Sequence, residues 1–247
     1  MLTRRAVMIG MAFSMSARPS RAKRREAITF LQIPPLRVVS PSIIRADGGV
    51  TYSEPTRRQV ARTREILESM PRGPRPVDIA QAFVDRYYRQ DPSAITQLPP
   101  PGPRNPLISE FLKITGAAAN DIVPWCAAFA NFCIVRSGLA GSASASSQSF
   151  LSPPFQQRTV PREGDLAVFT CFDLAGRSIG LGHVGFFKEP VDENHIRIVG
   201  GNQSADGHSS IICESTATTT SNRVKRRTPA GAAIEATMRL SAYVRID

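Results

Sequence analysis

The order of hydrophobic patterns along the chain is the feature that most constrains its fold. Apolar residues recur at helical spacing before Pro161 and alternate with polar residues after it. Helices followed by a run of strands indicate an α+β domain with an antiparallel sheet, because a doubly wound parallel sheet needs strands and helices in alternation. The 247 residues are 42% hydrophobic, which is enough for a core and excludes a wholly disordered chain.

Four segments before Pro161 carry the helical pattern and are predicted to be helices: 56–70, 78–90, 106–115 and 124–137. The last is the strongest, with Pro124 at its start, where a missing N–H costs nothing, and Gly138 after its end. Strands are predicted over 166–172, 183–188, 195–200, 209–213 and 240–246, and the second and third of these form a hairpin. Residues 216–233 are polar and basic, and are predicted to be a loop or insertion.

The first 22 residues resemble an export signal. Arg4 and Arg5 precede a short apolar run, and small residues follow it as cleavage sites. This pattern predicts export to the periplasm or the extracellular space by the twin-arginine route; the alternative is a basic N-terminus on a cytoplasmic protein. Residues 23–75 are predicted to be a basic, Pro-rich arm with one helix, and residues 76–247 the main domain. No stretch approaches the ~18 apolar residues of a membrane-spanning helix.

The net charge of +11 favours an anionic partner. Nucleic acid and the anionic bacterial cell wall both fit this charge. The sequence has neither zinc-finger spacing nor an aromatic-rich RNA-binding signature, so nucleic acid is not expected, and the export signal favours the cell wall. Basic groups such as Arg57-Arg58 and Lys225-Arg226-Arg227 are far apart in sequence, and solvated surface charge is the alternative interpretation.

Cys126 is a candidate nucleophile because it falls in the first turn of the strongest predicted helix. Unpaired N–H groups and the helix dipole favour an anion at this position, which lowers the pKa of a thiol and favours the reactive thiolate. Cys133 lies on the same helix face near its middle and is interpreted as a small buried hydrophobic residue. A buried packing role is also the alternative for Cys126.

A nucleophilic cysteine needs a base, and the sequence has only three histidines. His183 begins a predicted strand directly after a Gly-Leu-Gly segment that gives access to its ring, whereas His195 has no such glycines and His208 lies in a Gly/Ser loop. A hairpin centred between residues 192 and 193 places Asn202 opposite His183, and a small change of register leaves Gln203 as the opposing residue. Cysteine, histidine and asparagine in this arrangement are typical of papain-like enzymes.

Four blocks of sequence resemble, in order, the CHAP-type and NlpC-like cysteine peptidases and amidases. They are Pro124-Trp125-Cys126-Ala127-Ala128-Phe129, Gly164-Asp165-Leu166-Ala167-Val168-Phe169, Gly182-His183-Val184-Gly185-Phe186 and Gly200-Gly201-Asn202-Gln203. The resemblance covers roughly residues 76–247. Many CHAP enzymes carry an acidic residue two positions before the asparagine, where this chain has Gly200, so a second orienting carboxylate is not implied.

The resemblance implies a papain-like α+β fold and hydrolysis of amide bonds, most often in peptidoglycan or another amide-containing anionic polymer. It assigns Cys126 as the nucleophile, His183 as the base and Asn202 as the third catalytic group. A thiolate–imidazolium pair would form an acyl-enzyme, and N–H groups at the helix start would bind the oxyanion. Supporting roles around the substrate or oxyanion fall to Trp125, Ala127, Gln203 and Asp121, the last favoured as a helix cap.

The sequence also leaves other functions open. A zinc site is not expected, because the ligand spacings of zinc sites are missing, and no metal or cofactor is predicted. A non-catalytic wall-binding module with the same fold, and a transamidase or acyltransferase, are the alternatives to a hydrolase. If the chain is exported, a disulfide can join two of Cys133, Cys171 and Cys213, and their placement suggests the pair Cys171–Cys213.

Overall fold

The structure is a computed structural model that describes residues 52–99, 102–117, 124–204, 209–227 and 233–247. The predicted export signal and the first part of the predicted arm therefore lie outside the described residues. None of the described helices is long and apolar enough to cross a membrane.

The four predicted helices are confirmed, each slightly shorter than expected. They are α1 (Arg57–Ser69), α2 (Pro76–Phe83), α3 (Pro106–Lys113) and α4 (Cys126–Arg136). A π-helical turn, Val84–Tyr88, continues α2, and short 3₁₀ turns occur at Pro92–Ile95 and Ser147–Leu151. Gly138 follows α4 with a φ of 88°, a left-handed conformation that glycine adopts without steric cost.

In the part of the chain that the structure describes, eight strands form one antiparallel sheet. They are β1 (Thr96–Gln97), β2 (Gln157–Arg158), β3 (Leu166–Phe172), β4 (Ser178–Pro190), β5 (His195–Gln203), β6 (Ser210–Thr218), β7 (Asn222–Arg227) and β8 (Ala233–Val244). The strand order is β1-β6-β5-β4-β3-β8-β2, and β7 pairs with the first half of β8. Helices followed by an antiparallel sheet confirm the predicted α+β class.

The prediction of a loop over 216–233 is wrong. The end of β6 and all of β7 lie in this segment. Along β7, exposed residues alternate with residues that face inward. Val224 is half-buried and Arg226 is buried, while Lys225 between them is exposed. One buried residue in this short strand is a cation, so the alternation of polar and apolar residues that identifies a strand is missing from the sequence.

Hydrophobic residues form two clusters on opposite faces of the sheet. The helix-side cluster contains the aromatic residues of α2, α3 and α4, which pack on Val168 and Val184. The hairpin-side cluster contains Phe169, Cys171 and Met238 and lies beneath the β7–β8 hairpin. Ile66 of α1 and Met70, the residue that caps its C-terminus, also pack in the helix-side cluster, so the helix predicted for the arm shares the core of the main domain.

The start of α4 is fixed to the sheet by Trp125. The buried indole Nε1 donates to Ser210 Oγ over 3.1 Å, and the ring lies directly against Gly201 of β5. A Cβ atom at Gly201 would lie 2.3 Å from Trp125 Cζ3 and 2.9 Å from Phe129 Cβ. Glycine is therefore required at position 201 by the close approach of α4 to β5, and this approach sets the position of Cys126.

We expect Gly201→Ala to destabilise the fold by roughly 3 kcal/mol, because the methyl group forces Trp125 out of its packed position. Equilibrium denaturation in urea measures the loss. Gly176→Ala is the control: a Cβ there meets nothing within 4 Å, and only its left-handed backbone, φ 78°, is strained, which costs about 1 kcal/mol. Equal losses in the two variants would contradict the steric argument.

Candidate active site

Cys126 is the first residue of α4 and only 2% of it is exposed. The first backbone hydrogen bond of the helix runs from the N–H of Phe129 to the carbonyl of Trp125. The N–H groups of the residues between them therefore have no partner within the helix and can bind negative charge. Cys126 thus lies in the first turn of α4, where the sequence predicts it.

Two opposing effects act on the Cys126 thiol. Burial raises the pKa of this thiol and is the largest effect, while the positive charge of Arg226 and the backbone N–H groups of Val184, Ala127 and Cys126 lower it. The net shift of the pKa is upward, so the lowering predicted from the helix position is wrong for this buried thiol. Because the Val184 N–H reaches the sulfur, the structure brings Cys126 to the peptide that joins His183 to Val184. Cys126 and the backbone beside the predicted base are thus neighbours in space, although the two residues are far apart in sequence.

His183 lies in β4 directly opposite Phe169 of β3, and its side chain is fully buried. Opposed residues of an antiparallel pair share a face, so the imidazole lies on the hairpin side of the sheet, with its ring centroid 6.4 Å from that of Phe169. Burial, followed by the charge of Arg226, lowers the pKa of His183 to about 3. The imidazole is therefore neutral at pH 7.

A preformed thiolate–imidazolium pair, as expected from the sequence, is disfavoured in this structure. Burial opposes the charged form of both groups: it raises the pKa of Cys126 and lowers that of His183. The resting site therefore holds a neutral thiol and a neutral imidazole, and charge develops only when the thiol proton is transferred.

The pairing of β4 with β5 follows the predicted hairpin register, with Phe186 opposite Val199 and Phe187 opposite Ile198. Continued to the end of β5, this register would place Asn202 opposite His183. The ladder between β5 and β6 is irregular between Gly200 and Gln203, and Asn202 has a left-handed φ of 58°. The irregularity brings the side chain of Gln203 to His183.

Gln203 is fully buried, and its amide lies 3.5 Å from His183 Nε2. All hydrogen-bonding groups around the Gln203 amide have a suitable partner when the amide nitrogen donates to Cys213 O, at 3.0 Å, and to Ser215 Oγ. The amide oxygen then faces His183 Nε2 and also accepts from the Gly200 N–H. This orientation favours the tautomer with the proton on Nε2 and the lone pair on Nδ1.

His183 Nδ1 is buried and has no hydrogen-bond partner in the described part of the chain. A buried nitrogen without a partner is costly in a folded protein, and such exceptions concentrate where a group reacts. Nδ1 therefore has a lone pair that no described group uses, Cys126 Sγ included, while Nε2 faces the Gln203 amide at 3.5 Å.

Arg226 of β7 is a site residue that the sequence analysis missed. It is 3% exposed, and its Nη2 donates to Gly182 O over 2.6 Å, one residue before His183. Its charge acts on the pKa of Cys126, His183 and Cys171 alike. In the sequence this arginine stands between Lys225 and Arg227, so nothing in the local composition distinguishes it from surface charge.

The remaining predicted residues are placed as follows. Trp125 anchors α4 to the sheet, and Ala127 contributes a backbone N–H directed at Cys126. His195 begins β5 and pairs with Asp192 at an exposed turn, with 2.8 Å between Nδ1 and Oδ1. Asp121 and His208 lie outside the described residues.

All four cysteines of the chain are described, and all are free, buried thiols. Cys171 lies in the hairpin-side cluster and Cys213 in the helix-side cluster, so the disulfide suggested between them does not form. The described residues contain no group of three or more His, Cys, Asp or Glu side chains suited to hold a metal ion.

Comparison with known proteins bears on the same region. Residues 118–202 match the family model of the CHAP domain. This match confirms the predicted resemblance to the CHAP family over a segment that contains Cys126, His183 and Asn202. Domains of this family are generally amidases or peptidases and typically act on peptidoglycan. Neither the curated proteins nor the solved structures contained a match to the chain.

The buried, neutral His183 predicts an acid-sensitive fold. Between pH 6.5 and about 3 the unfolded chain binds a proton at His183 that the folded chain does not bind. Stability contributed by neutral His183 therefore decreases as the pH falls through this window. Between pH 7 and pH 5, we expect the free energy of unfolding of wild type to fall by about 2 kcal/mol more than that of His183→Gln.

Urea denaturation at a series of pH values measures this difference. His195→Gln removes an exposed imidazole and serves as the control, which keeps the wild-type dependence on pH. If wild type and His183→Gln lose equal stability on acidification, the neutral state of His183 in the folded protein is ruled out.

Proposed function

We propose that the protein is a cysteine-dependent amidase or endopeptidase that hydrolyses amide bonds in peptidoglycan. One observation carries the proposal: the Cys126 thiol, at a helix start with free N–H groups, lies against the strand that presents His183. The CHAP match over the same segment supports the reaction class and the substrate. The arrangement of a helix-borne cysteine on an antiparallel sheet supports a papain-like fold.

Attack on the amide starts from the neutral pair, after an opening step has brought His183 Nδ1, which lies on the hairpin side of the sheet, within reach of Cys126 Sγ on the helix side. His183 Nδ1 takes the proton from Cys126 Sγ as the sulfur bonds to the carbonyl carbon, and the carbonyl electrons move onto oxygen. Backbone N–H groups at the start of α4 stabilise this oxyanion. The oxyanion then collapses, the carbon–nitrogen bond breaks, and the imidazolium gives its proton to the amine that leaves.

Water completes the cycle. Neutral His183 accepts a proton from water as the hydroxyl adds to the thioester carbon. The second oxyanion collapses to the carboxylic acid, the carbon–sulfur bond breaks, and the proton on His183 returns to Cys126. Thiol and imidazole are restored, and no metal or cofactor enters these steps.

The charge of the chain supports a wall polymer as substrate. A net charge of +11, or +7 after cleavage behind residue 22, attracts an anionic polymer at long range, which raises its concentration near the protein. Export by the twin-arginine route would bring the protein to that polymer and remains part of the proposal. Residues 1–22, which carry this prediction, lie outside the described residues.

Substrate access requires a rearrangement. Cys126 and His183 are almost wholly shielded from solvent, and neither lines the 980 Å³ cavity beside α1 nor the 610 Å³ cavity beside β2. A cross-linked glycopeptide cannot reach the sulfur in this closed form. The proposal therefore includes an opening step before acylation.

The first prediction from this mechanism concerns Cys126. We expect Cys126→Ala to abolish the release of soluble fragments from purified sacculi, because no other residue forms the acyl-enzyme. The full chain is incubated with sacculi and the products are read by mass spectrometry. Cys133→Ala, a change of another buried cysteine of α4, is the matched control and retains activity.

Three other outcomes would contradict the proposal. Release by Cys126→Ala at the wild-type rate would remove Cys126 from the mechanism. Binding to sacculi without release by wild type would indicate a wall-binding module. Products joined to an added amine in preference to water would indicate a transamidase.

The second prediction separates the two candidates for the group that orients His183. We expect Gln203→Met, which removes the amide beside Nε2, to reduce kcat about 10- to 100-fold with a smaller change in KM. Asn202→Gly keeps a residue suited to the left-handed backbone and retains activity within a few fold. A larger loss of kcat in Asn202→Gly than in Gln203→Met would favour Asn202 as the third catalytic group.

A further inference from the structure

We propose that Arg226 is a positioning residue of the active site, whose buried charge favours the thiolate of Cys126 over the imidazolium of His183. The inference rests on the proposed function, since it concerns how the same thiol is activated. Arg226 lies in sequence beyond residues 118–202, the segment that matches the CHAP model.

The geometry of the guanidinium is the first support. Nη2 donates to Gly182 O over 2.6 Å, which fixes the group against the strand that carries His183. Nε and Nη1 are buried and have no hydrogen-bond partner in the described part of the chain. Among the described residues, no carboxylate forms an ion pair with Arg226.

A buried cation without a counterion is unfavourable unless something in its surroundings gains from it. The titratable groups that face Arg226 are Cys171 from β3, His183 from β4 and Cys126 from α4. Two of these can become anionic. Cys171 has a side-chain hydrogen bond with Arg226, whereas Cys126 feels the charge of Arg226 and also lies at a helix start with further N–H groups directed at its sulfur. The Cys126 thiolate is therefore the anion that Arg226 and these N–H groups stabilise together.

The same charge acts in the opposite sense on His183. A positive group nearby disfavours the imidazolium, so the imidazole stays in the form that can accept a proton. Arg226 thus promotes both halves of the first step: it stabilises the sulfur anion that forms and keeps the base unprotonated beforehand. Gln203, the other group that faces His183, carries no charge.

Two measurements test this proposal without any substrate: the pH dependence of Cys126 alkylation and the pH dependence of His183 protonation. The rate of alkylation by iodoacetamide is measured against pH with the product at Cys126 quantified by peptide mass spectrometry. The protonation of His183 is followed by NMR of its ring. We expect Arg226→Gln to raise the midpoint of Cys126 alkylation by about one pH unit and to raise that of His183 as well.

Matched variants separate charge from structure. Arg226→Gln keeps donors for Gly182 O but loses the charge, Arg226→Lys keeps the charge, and Lys225→Met removes a charge from the exposed neighbour. We expect Arg226→Lys to keep most of the wild-type profile and Lys225→Met to keep all of it. Thermal melting identifies a variant that has not folded, and Arg226→Lys then supplies the comparison.

The direction of the two shifts distinguishes the alternatives. Loss of charge raises both midpoints, whereas a loosened site admits water and lowers that of Cys126 while raising that of His183. Unchanged midpoints, or a lowered Cys126 midpoint, overturn the proposal, and so does faster sacculus hydrolysis by Arg226→Gln. If wild type releases no fragments from sacculi, the proposed function is wrong, but the alkylation experiment still tests the effect of Arg226 on Cys126.

Discussion

The contact between the first turn of α4 and β5 determines the rest of the site. Trp125 fits against Gly201, where even a methyl group would clash, and its indole is hydrogen-bonded to Ser210. The helix start therefore lies close enough to the sheet for the Val184 N–H to reach Cys126. Any shift of α4 away from β5 would separate the thiol from the strand that holds the base.

Burial is the dominant electrostatic influence on the site. It disfavours the charged form of both groups, the thiolate of Cys126 and the imidazolium of His183. Polar groups near them then decide which charge can form. The N–H groups at the helix start and Arg226 favour a negative sulfur, whereas Gln203 orients His183 without adding charge. The site combines a dry environment with a few fixed dipoles and one cation, a combination that strengthens each polar interaction.

The helices, most strands and the positions of Cys126 and His183 could be predicted because each depends on local patterns: helical spacing, alternation and helix-capping residues. The contact at Gln203 could not, since it depends on an irregular pairing between β5 and β6 that leaves no signature around Asn202. Arg226 was missed for a different reason. Strand β7 forms by pairing with β8, and a buried cation in it looks like surface charge until the β7–β8 hairpin is seen to cover His183.

The four unpaired cysteines have a consequence for where the protein can fold. Since no covalent cross-link holds the strands together, the fold relies on its hydrophobic clusters and hydrogen bonds alone. A chain of this kind can reach its native state in a reducing environment, before any oxidant is met.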